Sequence, residues 1–311
     1  MKYIQIYESA KQEKDKKKEM EKEVSSLKNS LKKTIKPLVI TTGVLVGLYL
    51  YYQKMMDIAN AKVSNIADSI IDPKIVLNEY DNKDAETCMK YMDELRNDII
   101  KNKNIVYSDI QIRNMISETI THKLNNPNIL KISIIEPEQS EKIMAFFSTE
   151  SRQTKTAGAQ IKYDLWSSSK EVEIEVKSHN DLSKVFYNDK KYKAWSNAVE
   201  SLIVHEFTHY NQIISGNKKD LYNLGMFDTI GKSQDEITGG YFSNKGELEA
   251  HAAQAAHGLK KQGYSKSSFL KDLKNGKKFK NFAMNNYQGI FKPGSLVFKV
   301  FMDHVTKLLP D

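Results

Sequence analysis

The run His205-Glu206-Phe207-Thr208-His209, set in a stretch whose apolar spacing is helical, restricts this chain more than any other feature. Residues four apart on a helix stand almost above one another, so His205 and His209 project an imidazole pair from one face. Two neutral imidazoles at that spacing can grip one Zn²⁺, and Glu206 then lies beside the metal, placed to take a proton from water. Ala198, Val199, Leu202, Ile203, Val204 and Phe207 lead into the motif, and Ile213 and Ile214 follow it. That pattern predicts a buried helix.

A zinc site needs a third protein ligand, and a catalytic one leaves the fourth position to water. The run Gly246-Glu247-Leu248-Glu249-Ala250-His251 opens a second helical stretch after a loop marked by Gly239, Gly240 and Asn244. The alanines that follow favour helix and let two helices approach closely. Glu247 and Glu249 lie about 200° apart around a helix, so only one of them can reach a given ion. Glu247 shares its face with His251, four residues on, which reads as a ligand with an outer partner that orients it. Glu249 heads a stripe of Ala252, Ala253 and Ala256, which reads as a packing face and leaves it the alternative third ligand.

HEFTH followed by a helix carrying Glu-x-x-Ala-His resembles the gluzincin branch of the zincin metallopeptidases, over roughly residues 161–259. The resemblance implies His205, His209 and Glu247 as zinc ligands, Glu206 as general base, and His251 at the outer position where most relatives keep Asp or Glu. It also implies an oxyanion-stabilising Tyr shortly before the third ligand. Tyr241 fits that role, with Tyr210 competing. The expected activity is hydrolysis of peptide bonds in a protein or peptide substrate, with Zn²⁺ as cofactor.

Two segments, 159–166 and 171–177, alternate with period two, the second placing Val172, Ile174 and Val176 on one face. Ser167, Ser168, Ser169 and Lys170 between them predict a hairpin. A third strand is expected over 128–135, ended by Pro137. The expectation is a small antiparallel sheet whose edge offers backbone groups to an extended peptide.

A single cysteine, Cys88, excludes an intrachain disulfide and a cysteine-built zinc site. It falls on the helical stripe Cys88, Met92, Leu95, Ile99 and is expected in the core. Charge is uneven. Residues 258–311 hold eleven lysines against three acids, interleaved with Tyr264, Phe269, Phe279 and Phe282. The part 258–282 therefore reads either as a contact for anionic lipid or nucleic acid, or as amphipathic helices with aromatics inward and lysines in water. No glycine-rich phosphate loop or internal repeat is present.

Residues 1–36 carry eleven lysines and six acids, and 37–53 form an uncharged run ending in Tyr49, Tyr51 and Tyr52. Lysines before the run and tyrosines at its end predict a single-pass anchor with the N-terminus inside. The soluble alternative is an oligomerising helix, with the chain free or part of a phage particle.

The expected plan is an α+β, mostly helical chain: a lysine-rich helical leader (1–36), an apolar transmembrane anchor (37–53), a helical region (54–127) and a zincin-like domain with two zinc-site helices (128–311). Helices are expected over 84–102, over 108–125 with Ser108 as cap, and over 295–309. The alternative function is a membrane-anchored or particle-associated structural or binding protein with a vestigial zincin fold. Glu206 argues against it, because a site kept only for structure has no use for a general base.

Overall fold

The computed structural model describes residues 50–51, 53–55, 57–80, 82–102, 104–136, 156–163, 171–216, 233–277, 279, 281–292 and 294–311. The chain divides into two units, 1–59 and 60–311. In the first, the described residues are helical, and Leu50, Tyr51 and Met55 are exposed. The leader 1–36 and all of the segment 37–53 except Leu50, Tyr51 and Gln53 lie outside the described residues. Among the described residues no helix is long and apolar enough to cross a membrane.

The second unit is mostly helical with one three-stranded sheet. Its first helix, α1, covers residues 60–70. Helices α2 (Lys83–Lys101) and α3 (Asp109–Leu124) follow where apolar spacing places them. Ser108 caps α3, its hydroxyl accepting from Gln111 N–H while the Gln111 side chain returns to the Ser108 N–H. This reciprocal pair satisfies donors that a bare helix start leaves unpaired. Cys88 is fully buried on the inner stripe of α2, and burial pushes its thiol well above the usual range.

Strands β1 (Ile129–Ile135), β2 (Thr156–Tyr163) and β3 (Val172–Ser178) stand in the order β1-β3-β2. The hairpin pairing is as expected: β2 runs antiparallel to β3, with Ile161 opposite Ile174. The sheet is not purely antiparallel, however. β1 runs parallel to β3, with Ile132 opposite Ile174 and Ile134 opposite Val176. The reason lies in burial. Ile132, Ser133 and Ile134 are all buried, so β1 is covered on both faces, as strands in parallel pairings are. On β3, Val172, Ile174 and Val176 face the core, and Ser178 accepts a hydrogen bond from Trp195 Nε1 at 3.1 Å. Arg113 ties α3 to the ends of the strands through Ile134 O, Ser178 O and Asn180 O.

After the sheet come α4 (Leu182–Phe186) and the 26-residue α5 (Asp189–Ile214), which carries the HExxH run. Then follow α6 (Gln234–Ser243), α7 (Lys245–Lys261), α8 (Lys266–Lys274), α9 (Phe282–Ile290) and α10 (Leu296–Leu308). Two apolar cores result. One joins α2, α3, the sheet, α4 and α5. The other gathers α1 and α7 through α10.

Helix α7 lies between the cores. Ala253 faces the first, while Leu248, Ala252, Ala255, Ala256 and Leu259 face the second. A helix covered on both sides must be apolar or small nearly all round, which explains the alanine run. Helix α6 approaches α1 so closely that a Cβ on Gly239 would stand 3.0 Å from Ile66 Cγ2 and 3.2 Å from Val63 O. In the basic C-terminal part, Phe269 and Phe279 are buried against each other and Tyr264 packs on Phe279. Lys261 pairs with Glu200, Lys266 with Asp311 and Lys277 with Asp272. His304 is buried in α10, a packing histidine.

Candidate metal centre

Helices α5 and α7 pack side by side, and each buries the polar groups expected of a metal site. Along α5, every residue from Ile203 to Tyr210 is buried, with His205 8% exposed, Glu206 5% and His209 5%. On α7, Glu247 is 4% exposed and His251 7%. Asn244 starts α7, its side chain accepting from the Gly246 and Glu247 N–H groups, which fixes the backbone that carries Glu247. Carboxylates and imidazoles are seldom buried this deeply without a partner of opposite charge.

Three side chains meet at a point. His205 Nε2 and His209 Nε2 are 3.1 Å apart, and Glu247 lies 3.4 Å from the first and 3.3 Å from the second. Ligands at about 2.0–2.1 Å from a tetrahedral ion stand about 3.3 Å from one another, and the two imidazole nitrogens have that spacing between them and, through Oε2 for His205 and Oε1 for His209, to the two oxygens of the Glu247 carboxylate. His251 stands next to them, its Nε2 3.7 Å from Glu247 Oε2 and its ring 4.5 Å from that of His205. The buried group His205, Glu247 and His251 can hold a metal ion. Glu247 Oε2 and His251 Nε2 are buried with no hydrogen-bond partner, and a cation is the kind of group that satisfies both. The donor set fits a divalent ion that accepts nitrogen and oxygen ligands.

Electrostatics hold the cluster in a charge-separated state. Burial opposes the charge on Glu247, but His209 and His205 pull its pKa well below the usual carboxylate range. Burial likewise opposes a charge on His209, yet Glu247 holds that imidazole up at about 9. His251 is pushed down to about 3 by burial and by His205, so it stays neutral with a lone pair available. Glu206 is raised, chiefly by burial and also by Glu247, while His205, His209 and the backbone N–H of Ile161 on β2 hold it down. A carboxylate so raised is a better proton acceptor than one in water.

Glu249 points elsewhere. It accepts from Gln212 Nε2 at 2.8 Å and from the Asn78 N–H at 2.7 Å, with Lys245 at 4.0 Å. Opposite placement of Glu247 and Glu249 around α7 thus sends one to the histidines and the other to a brace between helices. Tyr241 lies beside Glu247, and burial followed by that carboxylate raises its phenol well above the usual range. Tyr210 donates instead to Asn126 Oδ1 at 3.0 Å.

Two glutamines were not singled out by sequence. Gln212 Oε1 accepts from His209 Nδ1 at 2.8 Å, while its amide nitrogen donates to Gly246 O at 3.0 Å and to Glu249. Because the amide nitrogen faces two acceptors, its orientation is fixed, and His209 Nδ1 must be the donor. Gln254 takes His251 Nδ1 at 3.2 Å and donates to Ser201 Oγ at 2.9 Å. The available signal was a glutamine three residues after each histidine on the same helix, a spacing that places neighbours together. Tyr287 is also adjacent, its ring 5.6 Å from His251 and its hydroxyl donating to Phe242 O at 3.1 Å. No protein-family model matches this chain, and neither a curated protein nor a solved structure is significantly similar to it.

Proposed function

We propose that the chain is a zinc-dependent hydrolase, most specifically a metallopeptidase, with His205, His209 and Glu247 as ligands. The observation that carries this reading is the approach of the two imidazole nitrogens, 3.1 Å apart, to the Glu247 carboxylate, with Oε2 3.4 Å from His205 Nε2 and Oε1 3.3 Å from His209 Nε2. Zinc is the ion best suited to two imidazoles and one carboxylate in tetrahedral spacing. When bound, it would supply Lewis acidity, easing deprotonation of water and polarising a carbonyl.

The remaining work falls to the protein. Glu206 accepts the proton of the attacking water and returns it to the leaving amine, a role suited to its raised pKa. Tyr241, beside Glu247, is the candidate donor to the developing oxyanion. Gln212 fixes the ring of His209 so that Nε2 faces the ion. The edge strand β2 lies along α5, and its Ile161 N–H reaches Glu206, so a peptide added to that edge would run past the base.

The test is Glu206→Gln assayed against a peptide library. The amide cannot accept a proton, so the variant should bind metal as the wild type does and lose turnover by at least two orders of magnitude. Retained turnover would reject Glu206 as the base. Absence of turnover by the wild type on every peptide would favour a binding protein that keeps the metal site without the chemistry.

A further inference from the structure

We infer that His251 is a fourth protein ligand of the same ion, so that the resting site is closed by His205, His209, Glu247 and His251. The inference rests on the metal site proposed above and adds its resting coordination. Position is the first argument. His251 Nε2 is 3.7 Å from Glu247 Oε2, only a few tenths of an ångström beyond the roughly 3.3 Å edge of a zinc tetrahedron. His205, Glu247 and His251 also offer ligand atoms that all lie within 4.8 Å of one another, and His209 adjoins that group through His205 and Glu247 rather than through His251.

The second argument is the unspent lone pair. His251 Nδ1 is engaged by Gln254, which leaves Nε2 as the free nitrogen, buried and without a hydrogen-bond partner. It faces Glu247, a carboxylate that offers no proton at neutral pH. A nitrogen lone pair held against an anion in a buried site has one natural complement, a cation.

The third is how the ring is held. A metal-binding histidine normally gives its other N–H to a fixed acceptor, which sets its orientation. His209 has this in Gln212, which is braced across to α7 at Gly246 and Glu249. His251 has the same in Gln254, braced across to α5 at Ser201. The two tethers are alike: each histidine is held by a glutamine of its own helix that is braced on the other helix. Phe242, stacked on the His251 ring at 5.6 Å, and Tyr287 close the remaining sides. An outer partner would instead give an Nε2 proton to an acceptor, and Glu247 Oε2, at 3.7 Å, lies beyond hydrogen-bond range.

A site with four protein ligands would leave no open position, so the attacking water and the substrate would reach the ion only when one ligand yields. His251, at 3.7 Å from Glu247, would be that ligand.

X-ray absorption on the zinc-loaded wild type counts imidazole ligands without any substitution. Three imidazoles and one carboxylate are expected; two imidazoles would overturn the inference. In parallel, zinc affinity is read by competition with a chromophoric chelator for wild type, His251→Ala and His205→Ala. His251→Ala should still bind one zinc, 10- to 100-fold more weakly, and its cobalt-substituted form should show a changed visible spectrum. An affinity within twofold of wild type with an unaltered cobalt spectrum would reject His251 as a ligand and leave the three-ligand site standing. Loss of no zinc in His205→Ala would sink the metal site itself.

Discussion

Gln212 connects the proposed metal ligand His209 to the packing of the two helices, and replacing it separates the two roles. Methionine at 212 keeps side-chain length and approximate volume while removing both amide functions. Three hydrogen bonds disappear: to Gly246 O, to Glu249 Oε2 and from His209 Nδ1. The bond to the Glu249 carboxylate is charge-assisted, about 1.5–3 kcal/mol, and each of the others contributes about 1 kcal/mol, so Gln212→Met should cost about 3–5 kcal/mol. Glu249 keeps the Asn78 N–H, so its charge is not wholly stranded and the upper end is not exceeded. Loss of the acceptor at His209 should also weaken zinc binding 10- to 100-fold. Gln212→Glu is the contrast. It keeps an acceptor for His209 but brings a second carboxylate against Glu249, where the amide stood at 2.8 Å. Stability should fall in both variants, and zinc affinity only in the methionine one. Urea unfolding of metal-free protein gives the first quantity and chelator competition the second. If Gln212→Met unfolds within about 0.5 kcal/mol of wild type and binds zinc equally well, the tether has no energetic role and the reasoning fails.

Two further outcomes follow from other regions. His304 is lowered from 6.5 to about 4, first by burial and then by Lys307, so its folded-state value lies below the unfolded one. Its contribution is therefore fully present above pH 6.5 and is lost as pH falls towards 4. That contribution is about 3 kcal/mol at most, and the pH dependence of urea unfolding in His304→Leu should be flatter than wild type by that amount over this window. An unchanged difference between pH 7 and pH 4 would contradict it. For segment 37–53, the proposal of an anchor requires the full chain to stay with membranes through carbonate extraction, and a chain lacking residues 1–62 to be released yet still bind zinc. Recovery of the full chain in the supernatant would rule the anchor out.

The helices were legible in the sequence because their signals are local. The stripe through Cys88, Met92, Leu95 and Ile99, the Ser108 cap and the HExxH spacing each involve residues within a few turns. The pairing of β2 with β3 was legible for the same reason, since a hairpin joins neighbours. The parallel pairing of β1 with β3 was not, because alternation within a strand says which residues are buried and nothing about which strand lies alongside. At the candidate metal centre, helical geometry alone separates Glu247 from Glu249. Gln212 and Gln254 stand three residues after His209 and His251, but that spacing alone does not tell a buried tether from a solvated amide. Their importance comes from the opposite helix, through Glu249, Gly246 and Ser201.

Elemental analysis of the purified chain, beside His209→Ala, Glu247→Ala and Glu249→Ala, tests the central claim most directly. The ligand assignment predicts one zinc per wild-type chain, almost none in His209→Ala, a strong loss in Glu247→Ala, and near-normal content in Glu249→Ala. Equal zinc in wild type and His209→Ala would contradict the site, and loss in Glu249→Ala with retention in Glu247→Ala would contradict the choice of third ligand.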